Sequence, residues 1–92
     1  MKGLWCHFTL YDDPNGWFRV QYSYDADFLA EIKKVPLHRR RRSDPPEDIY
    51  WMIDPIYKDR LIEKAKNNFK RVYLITPTGF KPIQIDHQSL GA

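Results

Sequence analysis

Leu4-Trp5-Cys6-His7-Phe8-Thr9-Leu10-Tyr11 alternates without a break. Leu4, Cys6, Phe8 and Leu10 fall on one face, with Trp5, His7, Thr9 and Tyr11 on the other. That period of two is the pattern of a half-buried strand. Asp12-Asp13-Pro14-Asn15-Gly16 follows, with Asn15-Gly16 suited to the positive φ of a tight turn. Trp17-Phe18-Arg19-Val20-Gln21-Tyr22-Ser23-Tyr24 then alternates again, with Phe18, Val20, Tyr22 and Tyr24 as its apolar face. Two alternating runs around a short turn make a hairpin. Its second face carries Trp5, His7, Tyr11, Trp17, Arg19 and Gln21.

Beyond the hairpin the apolar period changes from two to that of a helix. Asp25 is placed to cap a helix whose inward side is Phe28, Leu29, Ile32 and Val35, and Pro36 ends it near Lys34 or Val35. Residues 37–48, which contain Arg39 to Arg42 and Pro45-Pro46, are expected to form an extended loop. Ile49-Tyr50-Trp51-Met52-Ile53 has the composition of a short strand. Asp54-Pro55 opens a second helix, with Tyr57, Leu61, Ile62, Ala65 and Phe69 facing inward and Lys58, Arg60, Lys64, Lys66 and Lys70 outward. Asn67-Asn68 weakens its last turn. Residues 71–75 form another strand, and residues 80–85 a further one at the sheet edge, because Pro82 cannot donate to a ladder.

The order is ββαβαβ with a final strand allowed. The fold class is therefore α+β: one mostly antiparallel or mixed sheet with both helices on one face. Residues 1–86 are expected to form a single domain and residues 87–92 a loose tail. The chain of 92 residues is 42% hydrophobic and 29% charged, ordinary proportions for a folded domain. The lone Cys6 has no internal partner for a disulfide. No apolar run reaches the ~20 residues that span a bilayer. The amino terminus lacks the uninterrupted apolar stretch of a signal peptide. These features lead to the expectation of a cytoplasmic protein with no membrane partner.

The net charge of +3 conceals a strong segregation. Residues 33–42 carry +6 and residues 58–71 carry +4, while residues 1–32 carry −3 and residues 43–57 carry −4. Lys33, Lys34, Arg39, Arg40, Arg41 and Arg42 are the first candidates for phosphate contacts, helped by Lys64, Lys66 or Arg71. A solvated loop balanced by Asp44, Glu47 and Asp48 stands beside that reading, as does a patch for an acidic protein. Trp5, Trp17, Tyr11 and Arg19 are candidates for base stacking. Equally, they suit a covered sheet face or a dimer interface.

Catalytic and metal chemistries find no support in the spacing. Cys6 and His7 are neighbours on a strand and so point to opposite faces, while His38 and His87 stand alone. Glu31-Ile32-Lys33 has the spacing of a metal-dependent nuclease motif but falls on a helix. Neither a glycine-rich phosphate loop nor a nucleophile elbow is present. No cofactor is expected.

From Phe28 to Val72 the pattern resembles the HARP-type module found beside annealing helicases. That module has a helix ending in proline, a basic loop, a strand bearing tryptophan and a second helix closing on phenylalanine. Leu29, Ile32 and Pro36 match the first helix and its end. Arg41 or Arg42 matches the loop arginine, Trp51 the strand tryptophan, Leu61, Ala65 and Phe69 the second helix, and Val72 the next strand. Ser43-Asp44 stands where the module has a tryptophan after the loop arginine. The resemblance spans about half of the chain and implies DNA binding.

The expectation is thus a small non-catalytic module that binds nucleic acid, DNA favoured, by structure rather than by base sequence. The alternative is a small interaction or inhibitor factor, encoded by a virus or mobile element. Its basic surface would bind an acidic or nucleic-acid-binding surface of a partner protein. A homodimer is left open.

Overall fold

The computed structural model describes residues 3–11, 16–43 and 50–84. The hairpin turn at residues 12–15, most of the segment between the arginines and Trp51, and the tail lie outside them. The elements in chain order are β1 (Gly3–Thr9), β2 (Phe18–Tyr22), α1 (Ala26–Lys33), β3 (Arg40–Arg42), β4 (Trp51–Ile53), α2 (Lys58–Asn68), β5 (Phe69–Thr76) and β6 (Gly79–Gln84). They build one six-stranded sheet in the order β3-β4-β2-β1-β5-β6. Only the β1–β5 pairing is parallel, so the sheet is mixed and the class is α+β.

The hairpin has the register its alternation demands: Cys6 lies opposite Tyr22 and Phe8 opposite Val20. Cys6, Phe8, Phe18 and Val20 are all buried, and their row continues into Ile53, Trp51 and Val72 on the flanking strands. Both helices cover this side, since Phe28, Ile32, Leu61 and Ala65 belong to the same core. Three rings hold the layers together. Phe28 meets Tyr22 edge-on at 4.9 Å and Phe69 edge-on at 5.1 Å, with Tyr22 and Phe69 at 5.8 Å. Such geometry suits the ring quadrupoles. Leu4 and Tyr24, assigned by alternation to the inward face, are instead exposed, Leu4 near the start of β1 and Tyr24 beyond the end of β2.

An aspartate stands ahead of each α-helix. Asp25, in extended conformation, accepts a hydrogen bond from the Asp27 amide at 3.1 Å. Asp54 accepts from the Ile56 amide at 3.0 Å and opens a 3-10 turn, Pro55–Tyr57, that leads into α2. Its other oxygen takes Arg39 Nη1 at 2.9 Å. Replacing the buried Asp54 by alanine removes a cap and strands that arginine. We expect a loss of about 1–3 kcal/mol in chemical denaturation, roughly half of it restored by Asp54→Asn. The half-exposed Arg39 keeps the estimate at this modest level.

Three expectations are corrected. The arginine run is not an extended loop: Leu37–Arg39 forms a 3-10 turn and Arg40–Arg42 is a strand paired antiparallel with β4. The free edge of β4 supplies backbone partners, and the aliphatic stems of arginines can lie on apolar surface while their charge stays wet. Phe69 does not close α2. It begins β5, and both Phe69 and Val72 reach the core. Asn68 is likewise no weak point. It is buried, and its amide donates to Asp25 Oδ2 at 3.0 Å and Asp27 Oδ2 at 2.9 Å, tying the end of α2 to the start of α1.

β6 lies at the sheet edge, as Pro82 requires, with a register shift between Val72 and Tyr73 where the proline comes opposite. Gly79, at φ 153°, occupies the turn into it in a conformation that side chains rarely adopt.

Candidate nucleic-acid interface

Residues directly opposite one another on neighbouring strands share a face. The register therefore places each arginine of β3. Arg40 lies opposite the buried Ile53 and Arg42 opposite Trp51, so both face the helix side. Arg41 lies opposite Met52, in a row that continues through Arg19 and Thr9 to Ile75 and Phe80 on the other side of the sheet.

The four arginines consequently have different tasks. Arg39 is tied to Asp54. Arg40 donates its Nε to the Val35 carbonyl at 2.8 Å, near the carboxyl end of α1, and its guanidinium lies 5.4 Å from the Trp51 ring centre. Both guanidinium groups serve the fold. Arg41 and Arg42 are exposed and form no ion pair with a described residue. Arg42 shares a concavity of about 280 Å³ with Lys33, over a floor of Tyr22, Leu29 and Trp51. Arg41 borders a shallower one with Trp17 and Met52.

The outward basic residues of α2 are largely spent against acids. Arg60 Nε meets Glu31 at 2.8 Å, Lys64 meets Asp27 at 2.9 Å, and Lys66 meets Glu63 at 3.3 Å. Lys34 meets Glu31 at 3.4 Å. The Arg60 guanidinium, and secondarily Lys34, hold the Glu31 carboxyl below its ordinary range. The Asn68 amide and then Lys64 do the same for Asp27, and Asp27 in turn raises Lys64. The Arg60–Glu31 and Lys64–Asp27 pairs stitch α1 antiparallel to α2. The structure thus leaves Lys64 and Lys66 in the helical layer, away from the row that holds Arg41.

The side of the sheet without helices is the distinctive surface. Trp5, His7, Tyr73 and Phe80 form a chain of ring contacts at 4.7, 5.3 and 5.3 Å across β1, β5 and β6. Arg71 lies opposite Trp5, and Leu4, Trp5, Lys70 and Arg71 line a further concavity. Arg19 sits 4.0 Å from the Tyr50 ring centre and donates to Gln21 at 3.2 Å. Tyr11 is exposed just past β1, and Trp17 is half-buried before β2. Partial burial lowers the His7 pKa, which favours the neutral ring.

Charge is sorted between the two sides. Every acidic residue in the described part (Asp25, Asp27, Glu31, Asp54, Asp59 and Glu63) lies in a helix or caps one. The open side therefore carries Arg19, Arg41 and Arg71 with no carboxylate among its described residues. β3 and β5 are four strand spacings apart, on the order of 19 Å. Arg41, Arg19 and Arg71 thus lie on β3, β2 and β5, and the ring path runs over β1, β5 and β6 at the other end of the sheet from β3.

His7, Trp5 and Arg19 belong to the hairpin's second face and are readable from its alternation. Tyr73 and Tyr50 are not, because their place depends on strand pairings remote in sequence, and Phe80 joins the path only through its local pairing with the strand of Tyr73. Burial pushes the Cys6 thiol pKa well up, on the side opposite His7. Among the described residues, no three His, Cys, Asp or Glu side chains come together as a metal site. No described helix is long and apolar enough to cross a membrane.

No family model matches the chain, and no solved structure matches it. A curated protein described as "Probable beta-glucosidase E", from Neosartorya fischeri, is 33% identical over 78 residues. The aligned segment is 84% of this chain but only 7% of that protein's length.

Proposed function

We propose that the chain is a non-catalytic nucleic-acid-binding module whose arginines take the phosphate backbone along β3 and across the open sheet face. The observation that carries this reading is the sorting of charge. Acids and bases neutralise one another between the helices, whereas Arg41, Arg42, Arg19 and Arg71 meet no carboxylate among the described residues. Concentrated cations attract a polyanion and release its condensed counterions on binding.

The likeness of residues 28–72 to the HARP-type module supports DNA as the nucleic acid. Contacts of this kind position a backbone without reading bases, so binding is led by structure. Glycoside hydrolysis is a poorer account of the same surface. It needs two carboxyl groups flanking the sugar, about 5–9.5 Å apart. Among the described residues, no carboxylate lines any of the three concavities above.

The test is a fluorescence-polarisation titration of labelled single-stranded, duplex and forked DNA, and of RNA, at several salt concentrations. Four phosphate contacts predict a log–log slope of roughly −3 to −4. Affinity that ignores salt would refute the reading. Absence of any nucleic-acid complex, with an acidic protein retained instead, would favour the interaction-factor alternative.

A further inference from the structure

A sheet that packs helices on one side and meets solvent on the other ordinarily alternates apolar-in with polar-out. Here the outward side breaks that rule. Trp5, His7 and Tyr73 are half-buried only by one another and their neighbours, and Phe80, at the end of their chain, is 65% exposed. None of the four belongs to the core. Ring faces left in water along a continuous path are the mark of a surface that another molecule covers.

The charges beside the rings decide what covers it. A second copy of the chain on a twofold axis would set the same patch against itself, bringing Arg19, Arg41 and Arg71 towards one another without an intervening described acid. An apolar protein face would leave those arginines unanswered. Duplex DNA would answer the arginines and leave the rings idle, because its bases are already stacked inside the helix. An unpaired strand offers both partners at once: phosphates for Arg71, Arg19 and Arg41, and free base faces for the rings. Rings accept any base, which accords with binding that does not read sequence.

We infer that the open sheet face is a stacking platform for unpaired bases, so that the target is single-stranded nucleic acid lying across β1, β5 and β6. This rests on the nucleic-acid reading above and specifies its substrate. Trp5, Tyr73 and Phe80 supply ring faces, and Arg71, opposite Trp5, holds the adjoining phosphate. His7, between Trp5 and Tyr73, adds a ring that keeps the path continuous.

The experiment compares binding of a labelled oligothymidine and a duplex of the same length by Trp5→Ala, Tyr73→Ala, Phe80→Ala and the unaltered protein. Each substitution is expected to weaken single-strand binding roughly 5- to 150-fold, the loss that one stacked base brings. Duplex binding and the salt slope should stay unchanged, because no charge is removed. Trp5→Phe should recover most of the single-strand affinity. Phe80, the most exposed ring of the four, guards against a loss caused by unfolding. Unchanged single-strand affinity in all three variants overturns the platform but leaves the nucleic-acid reading standing, as does an equal loss for strand and duplex. No binding of either probe by the unaltered protein removes both.

Discussion

Reversing the two exposed arginines of β3, Arg41→Glu with Arg42→Glu, is expected to lower nucleic-acid affinity on the order of a hundredfold, about 2.7 kcal/mol. Each reversal removes an attraction to phosphate and adds a repulsion. Converting both to alanine instead should cost on the order of tenfold and flatten the salt dependence by roughly 1.4–1.8 in slope, the share of two contacts. The strand should survive either change. Its pairing with β4 is made by backbone groups, and neither side chain is bonded to a described residue. Arg40→Ala is the instructive contrast, because it gives up the bond to Val35 and the cover over Trp51. It should lower the denaturation midpoint while changing affinity little. Equal binding losses for Arg40 and for the Arg41–Arg42 pair would mean that the run acts as undifferentiated charge.

The second large effect is on stability. Phe28→Ala is expected to cost about 3–5 kcal/mol, the range for removing a buried phenylalanine ring. Phe28 is fully buried and meets both Tyr22 of β2 and Phe69 of β5, so its ring joins α1 to two strands that are not consecutive in sequence. Neighbours that already touch one another, as Tyr22 and Phe69 do, have little room to collapse into the void. A domain of this length has on the order of 5–14 kcal/mol in all. The variant should therefore unfold at a markedly lower denaturant concentration. A cost below about 1 kcal/mol would show that α1 is not anchored through this ring.

These expectations depend on features of unequal visibility in the sequence. The hairpin and α1 are local patterns: alternation around Asn15-Gly16, then Asp25 ahead of Phe28 and Ile32. Their physics is contained within a few residues, and the structure keeps both. The arginine run misleads because six charges in ten residues resemble a solvated loop. An edge strand asks only for backbone pairing and alternate side-chain directions, and β4 provides the partner. The division of labour among Arg39, Arg40, Arg41 and Arg42 follows from that register. Nothing in four identical letters distinguishes them. Asn68 is similar, since a helix-weakening residue becomes a clamp only once Asp25 and Asp27 are brought to it by the fold. The ring path needed the parallel β1–β5 pairing, between residues more than sixty positions apart, and then the local β6 return. Half of it, Trp5 and His7, stood in the alternation. The other half, Tyr73 and Phe80, did not.

The central claim is that the helix-free side of the sheet, with β3, is the binding surface. Its most direct test is to follow backbone amide and tryptophan indole resonances of the isotopically labelled protein while adding an unlabelled single-stranded oligonucleotide. The account predicts the largest shifts at Trp5, His7, Arg19, Arg41, Tyr73 and Phe80, with the solvent side of α2 around Asp59, Glu63 and Lys66 scarcely moving. Shifts concentrated on α1 and α2, with the sheet face silent, would contradict it.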